Sequence, residues 1–299
     1  MRQIAFIINP ISGVGKKNSI PPMIQKHLDH EQFQYEIFYT EYRGHAYDIA
    51  LNIAENNAFH IIAVVGGDGS VNEVGRALVD TEIAMAIIPT GSGNGFARHF
   101  DIPCDIERSI KLINQAQIQK VDTGMINEHH FFATCGLGFD ARVTHKFDEI
   151  EKRGFFGYVK AIWEELNKCE NIPFQIKFGS ETKELKTFVL TIANTTQYGN
   201  EFSISPESKA QDGILELVSI QKPSWWILPE FLFKAFTRNL STYKYFESFQ
   251  AKQFIVGSQN LKGHVDGDPI MLQEFNEVKV LPNSLQLMFI ESSDRSNLK

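Results

Sequence analysis

The chain has 299 residues, 43% of them hydrophobic, with 29 basic against 36 acidic side chains and a net charge of −7. That length accommodates two domains with a core each, and the acidic balance excludes a general nucleic-acid binder, whose affinity needs clustered Lys and Arg. The cysteines Cys104, Cys135 and Cys169 are dispersed and form no CxxC pair, which speaks against a disulfide or zinc framework and for reduced thiols in a cytoplasm.

Ile4–Ile8 reads as a buried strand, followed by the turn Asn9-Pro10-Ile11-Ser12-Gly13. It starts so close to Met1 that no room is left for a signal peptide, so the expected location is cytoplasmic. Gly13-Val14-Gly15-Lys16-Lys17 is not a Walker A motif, because no Ser or Thr completes GxxxxGK. Lys16 and Lys17 either attract phosphate or open a solvated helix. Pro21–His30 reads as a helix, Gln34–Tyr39 as a strand closing on Thr40, and Ala46–Asn56 as a helix. The apolar run Ile61–Val65 then meets Gly66-Gly67-Asp68-Gly69, and a helix follows over Ser70–Val79.

Glycines let a backbone turn tightly and approach a ligand, and a helix N-terminus presents free N–H groups and partial positive charge. That combination suits phosphate. The acid within the turn, Asp68, suits a magnesium ion or the proton of an attacking hydroxyl. The strand Ala84–Ile88 leads into a third small-residue turn, Pro89-Thr90-Gly91-Ser92-Gly93-Asn94-Gly95, and Ile106–Gln115 is the next helix. Alternating strands and helices imply a mostly parallel sheet covered on both faces. Ligands of such sheets sit outside the carboxyl ends of the strands, where these three turns gather. Each turn alone is also compatible with a plain strand-to-helix corner.

The texture changes near Asp122-Thr123-Gly124. Short apolar or alternating runs follow: Met125–Ile126, His130–Cys135, Phe174–Phe178, Leu185–Asn194, Leu215–Ile220, Phe246–Val256, Val278–Val280 and Leu285–Ile290. Helical stretches are expected at Gly157–Cys169 and Trp225–Asn239. Such a series of strands favours an antiparallel sandwich or barrel. No apolar run reaches the roughly 18 residues that span a bilayer. The aromatic stretch from Trp225 to Phe236 is read two ways, as an interfacial or acyl-binding helix or as a helix packed into a core, and its spacing does not separate them. His45, His99 and His264 have no HxxH or HxH spacing and read as supporting or surface groups rather than zinc ligands.

NPISG, GGDGSVNE and PTGSGNGFAR, in this order and spacing, resemble the catalytic region of the diacylglycerol kinase family, most closely its bacterial lipid kinases, with sphingosine and ceramide kinases as relatives. Asn194–Gly199, Pro206 and Asp212-Gly213-Ile214-Leu215 resemble the family's segment ending in DGxL. Asp266-Gly267-Asp268 resembles its late DGE motif, with aspartate in place of glutamate.

The resemblance implies an α/β N-terminal nucleotide-binding domain of the NAD kinase and phosphofructokinase type, over residues 1–122. It implies a mainly antiparallel β-rich lipid-binding domain over 123–284, with a final strand in 285–293 returning to the first domain. It implies ATP as phosphate donor, Mg2+, and a lipid hydroxyl as acceptor, diacylglycerol-like first, with peripheral contact at the inner face of the membrane. The nucleotide cradle is then Asn9, Pro10, Ser12, Gly13, Thr40, Gly66, Gly67, Asp68, Gly69, Ser70, Val71, Asn72 and Ser92. Thr40 matches a nucleotide-contacting position, or else its hydroxyl caps the next helix. Asp268 takes the position of the proton acceptor, one methylene shorter than the usual glutamate, with Asp266 as the other candidate. A plain Asp-Gly hairpin accounts for the same residues without chemistry. By family position Asp212, with the carbonyls of Lys209 and Ile214, holds a structural cation, and an Asp-Gly turn before a strand is the alternative. Arg98 either meets phosphate or lies on a helix surface. Two rival functions stay open: a kinase of a soluble acceptor such as NAD, and a non-catalytic nucleotide- or lipid-binding regulator.

Overall fold

A computed structural model describes residues 1–10, 19–148, 165, 168–199, 202–224, 226–259 and 261–291. Ser12, Gly13, Lys16, Lys17, Trp225 and most of the expected Gly157–Cys169 helix lie outside the described residues. The chain divides into two compact units: Met1–Val121 with the chain from Asn283 onward, and Asp122–Pro282.

In the first unit the elements are β1 (Arg2–Ile8), α1 (Ile20–His27), β2 (Phe33–Tyr39), α2 (His45–Asn56), β3 (Ile61–Gly66), α3 (Asp68–Leu78), β4 (Ala84–Pro89), α4 (Gly95–His99) and α5 (Ile106–Ile113). The strands run parallel in the order β2-β1-β3-β4, and the last part of β18 (Phe275–Phe289) adds beside β4, with Leu287 opposite Met85. Side chains alternate across a strand. Ile4, Phe6, Ile8, Ile61, Ala63 and Val65 therefore share one face, where they pack with Ile20, Ile24, Ile106 and Ile110 of α1 and α5. The intervening Ala5, Ile7, Ile62 and Val64 are equally buried, as befits a sheet covered on both sides. The register sets Ile8 opposite Tyr39 and Val65, and Gly66 opposite Pro89. The chain therefore leaves β1, β2, β3 and β4 at one edge. Helix α3 begins at Asp68, two residues earlier than the sequence pattern places it, so Asp68 sits in a first helical turn, where an acid is favoured.

The second unit holds β5 (Gln117–Ile126), whose end lies in this unit, β6 (His129–Phe131), β7 (Thr134–Gly136), α6 (Phe139–Asp148), β8 (Ile172–Phe178), β9 (Glu181–Thr187), β10 (Val189–Ala193), β11 (Gln197–Gly199), β12 (Phe202–Ser203), β13 (Leu215–Ile220), α7 (Leu228–Phe236), β14 (Phe246–Ala251), β15 (Gln253–Ser258), β16 (Lys262–Val265), β17 (Asp268–Met271) and the first part of β18. A six-stranded antiparallel sheet runs β14-β13-β10-β7-β16-β17. A second layer has β18, β15, β8 and β9 side by side. Phe131, Leu190, Ile192, Leu217, Phe254, Val256 and Val278 fill one core. Phe188, Val218, Ile220, Leu240 and Tyr243 form another, against which Ile227 and Phe231 pack.

Several boundaries differ from the sequence reading. Leu185–Asn194 is two strands in two different sheets, and Phe246–Val256 is likewise cut at Lys252. A period of two is the same whichever sheet a strand joins, so the pattern runs through the crossing. Conversely, the expected strands Val278–Val280 and Leu285–Ile290 fall on one long strand, Phe275–Phe289, that contains Pro282 and a left-handed Asn283 (φ 53°). Helix α6 carries no continuous apolar stripe, because its inner side includes the buried Thr144 and the partly buried Asp140, and the pattern gives it no signal. The aromatic segment divides: Phe231 faces Tyr243, ring centroids 5.6 Å apart, while Trp226 is 93% and Phe233 68% exposed. Among the described residues, no helix is long and apolar enough to cross a membrane.

Candidate active site

At the sheet edge of the first unit, the three small-residue corners contact one another through backbone and short side chains. Asn9 Nδ2 donates to Ser70 Oγ at 3.2 Å, and Thr90 N–H donates to Gly66 O at 2.8 Å. A Cβ on Gly91 would lie 2.6 Å from Gly67 Cα, so the second and third corners pass at a distance only glycine allows. A Cβ on Gly66 would collide with the Ser70 side chain.

Asp68 binds the third corner directly. Its Oδ2 accepts the Asn94 N–H at 2.7 Å and its Oδ1 the Gly95 N–H at 2.8 Å. Asn94, in the left-handed region at φ 54°, returns its own amide to the loop, accepting from Gly91 N–H and donating to Gly91 O. Arg98 Nε donates to Gly93 O at 3.1 Å, so this arginine braces the corner. Thr40 is buried at the same edge, its N–H on Ile8 O at 3.0 Å.

The cap of α2 comes from Glu73, whose carboxylate accepts Gly44 N–H at 2.9 Å and Ala46 N–H at 3.2 Å, and not from Thr40. The N-cap of α3 is Gly67, which carries no side chain of its own to cap the helix. Gly69 and Ser92 are exposed there, whereas Ser70, Val71 and Asn72 are buried, and Asn9 and Pro10 lie partly exposed.

In the second unit, β16 and β17 form a hairpin with Val265 opposite Asp268. Both turn residues have positive φ, Asp266 at 49° and Gly267 at 85°, the signature of a two-residue Asp-Gly hairpin turn. The Asp266 carboxylate is used internally. It accepts from Phe132 N–H at 2.8 Å, Ala133 N–H at 2.8 Å and Thr134 N–H at 3.0 Å, while Asp266 N–H donates to Thr134 O at 2.9 Å. Asp268 opens β17 and is partly exposed. Asn194 binds the same loop, donating to Phe132 O and to Asp122 O.

Asp212 and Lys209 are exposed. Asp212 Oδ1 accepts Ile214 N–H at 3.0 Å, and the buried Asp122 accepts Gly213 N–H at 2.7 Å. The Asp-Gly turn before β13 is thus held by a residue that sequence reading did not single out. Among the described residues no set of three His, Cys, Asp or Glu side chains converges on a metal-sized site.

Behind the hairpin lies a second group, built on Asp140, which sequence reading missed, and on His264, which it read as a supporting or surface group. Asp140, in the first turn of α6, accepts from Tyr198 OH at 2.6 Å, Thr191 Oγ1 at 2.9 Å and His264 Nε2 at 3.2 Å through Oδ2. Its Oδ1 accepts Gly138 and Ala141 N–H groups. Burial pushes this carboxyl up, but the hydrogen bonds of His264, Tyr198 and Ala141 lower it and leave it below its ordinary value. The nearby Cys135 thiol is pushed well up, chiefly by burial and then by the Asp266 and Asp140 charges, and stays a thiol.

The model of the diacylglycerol kinase catalytic domain matches residues 3–126, and that of the YegS C-terminal NAD kinase beta sandwich-like domain matches residues 133–289. A diacylglycerol kinase of Staphylococcus saprophyticus is 28% identical over 228 residues, 74% of this chain and 74% of that protein. One of Staphylococcus carnosus is 25% identical over 227 residues with the same coverage. A crystal structure of a diacylglycerol kinase from Bacillus anthracis shares the fold, with a TM-score of 0.78 over 98% of both chains at 23% identity. The two matched models together account for both units, and the chain belongs to the diacylglycerol kinase family, in its branch of bacterial lipid kinases, as a phosphotransferase with an alcohol group as acceptor.

Proposed function

We propose that this kinase moves the γ-phosphate of ATP to the hydroxyl of a diacylglycerol-like lipid. The observation that carries the reading is the bonding of Asp68 to the Asn94 and Gly95 N–H groups. It makes one assembly of two glycine corners beside an α-helix whose N-cap residue is Gly67. Such an assembly offers N–H groups and positive dipole to a triphosphate, with one carboxylate at hand. Phosphoryl transfer asks for little more than positioning and charge neutralisation.

Asn9, Gly66, Gly67, Gly69, Ser70 and Ser92 are assigned to the donor phosphates. Pro10, Val71 and Asn72 shape their corners, and Thr40 borders the nucleotide. Mg2+ fits this donor set, since it binds through one or two carboxylates, substrate phosphates and retained waters. Asp68 is the carboxylate, and the ion would neutralise phosphate charge. The Asp212 turn remains a proposed structural cation site through the carbonyls of Lys209 and Ile214.

Asp268 is assigned as the proton acceptor for the lipid hydroxyl. Asp266, with its carboxylate given to three backbone N–H groups, is the anchor of the turn and a poor base. The exposed Trp226 and Phe233 support contact with a lipid surface at the cytoplasmic face of the membrane.

The test is incubation with labelled ATP, magnesium and a whole-lipid extract, followed by identification of the labelled product. Labelled phosphatidic acid is expected. Labelling of a different lipid alcohol would revise the acceptor, labelling of a soluble acceptor alone would favour the NAD-kinase-like reading, and ATP binding without transfer would favour a regulator.

A further inference from the structure

His264 is 3% exposed, so it reaches no substrate, yet it is bonded on both ring nitrogens. Nε2 lies 3.2 Å from Asp140 Oδ2, and Nδ1 receives the Gly267 N–H at 3.4 Å. Gly267 is the residue before Asp268. The two bonds are chemically linked. An imidazole nitrogen that accepts an N–H carries no proton, so the ring proton sits on Nε2 and points at the carboxylate.

The fold keeps this arrangement open. Gly136 lies opposite both His264 and Thr191 across the sheet, and a Cβ on it would collide with Asp140 Oδ2 and His264 Nε2 together. Helix α6 grips the hairpin a second time further along, where His145 Nε2 bonds the carbonyls of Gly263 (3.0 Å) and Ile270 (3.1 Å).

We propose that Asp140 and His264 are a positioning pair for the acceptor base: Asp140 selects the imidazole tautomer whose Nδ1 holds the Gly267 N–H, and so fixes the turn that carries Asp268. The pair rests on the assignment of Asp268 given above, and it adds two positioning residues to the phosphotransfer site. Asp266 holds one side of the turn from the loop Phe132–Thr134 and His264 the other. A base on a short aspartate side chain has little reach to spare, and misplacement by an ångström is worth on the order of 100-fold in rate.

Two substitutions at one position separate this role from packing. In His264→Asn the amide oxygen takes the place of Nδ1 and still accepts from Gly267, but loses Asp140. In His264→Gln the amide nitrogen takes the place of Nε2 and still meets Asp140, but loses Gly267. His264→Gln and Asp140→Asn are expected to lose on the order of 10–100-fold in kcat with KM for ATP and lipid unchanged, and His264→Asn to lose clearly less than His264→Gln. Asp140→Asn is expected to have little further effect in the His264→Asn background. Equal losses in both His264 variants, or additive losses in the double variant, would assign the pair to packing alone.

Nitrogen NMR of 15N-histidine protein gives a readout independent of catalysis. An Nε2–H tautomer of His264 is expected in the parent, and an Nδ1–H tautomer would overturn the proposal. Asp268→Asn, assayed alongside, judges the base assignment by itself. Full turnover there would remove Asp268 as the base, and with it the catalytic purpose of the pair, while the tautomer would still report the hydrogen-bonded arrangement.

Discussion

Asp68 and Gly95 are joined across two strand-to-helix corners, the Asp68 Oδ1 accepting the Gly95 N–H at 2.8 Å while Oδ2 takes the N–H of Asn94 at 2.7 Å. One side chain therefore sets the spacing of two phosphate-suited turns and also supplies their negative charge. In Asp68→Asn an NH2 group must face a backbone N–H or leave it unmet, which costs about 1–3 kcal/mol. The variant is expected to unfold at lower urea and to transfer phosphate on the order of 100-fold more slowly or worse. Wild-type turnover in a folded variant would refute the site.

Gly91→Ala tests the close approach of the corners. A methyl 2.6 Å from Gly67 Cα forces the corners apart. Overpacking of this kind costs about 1–3 kcal/mol. Calorimetric titration is expected to show weakened ATP binding, and unchanged affinity would place the nucleotide elsewhere.

The two aspartates of the hairpin are expected to fail in opposite ways. Asp266→Asn disturbs the bonds from Phe132, Ala133 and Thr134 and should reduce unfolding free energy by about 1–3 kcal/mol. Asp268→Asn should melt like the parent and lose about 100- to 10,000-fold in kcat. Urea melts and single-turnover assays on the pair decide, and the reverse pattern would exchange their roles.

Asp140 makes stability depend on acid. Its folded value lies below the ordinary one through His264, Tyr198 and Ala141, against the opposing effect of burial. Its contribution is complete above the unfolded value of about 3.9 and is lost as pH falls toward the folded one. The stability gap between the parent and Asp140→Asn should therefore narrow from pH 5 downward in urea titrations. A gap that stays constant would mean that the carboxylate does not ionise there.

Trp226 and Phe233 are exposed at 93% and 68%, so replacing both by alanine should leave the melting curve in place. A large apolar side chain transferred from water contributes about 1.5–3 kcal/mol. Cosedimentation with lipid vesicles is expected to fall at least about tenfold for the double variant. Retained binding would assign membrane contact to another surface.

The residues by themselves determined the alternation of buried strands and helices in the first half, the glycine corners behind β3 and β4, and the hairpin character of Asp266-Gly267. These are local: an apolar run, a small-residue turn and an Asp-Gly pair act within a few positions of the chain. Only the tertiary structure decided that Leu185–Asn194 and Phe246–Val256 each divide between two sheets, because strand periodicity carries no record of the partner. It alone brought Asp140 to His264, 124 residues away in the chain, and turned the Asp266 carboxylate onto the loop Phe132–Thr134. A partly buried carboxylate leaves no trace in a hydrophobic pattern. Its position is set by the donors that surround it, and those come from strands that meet only when the sheets close.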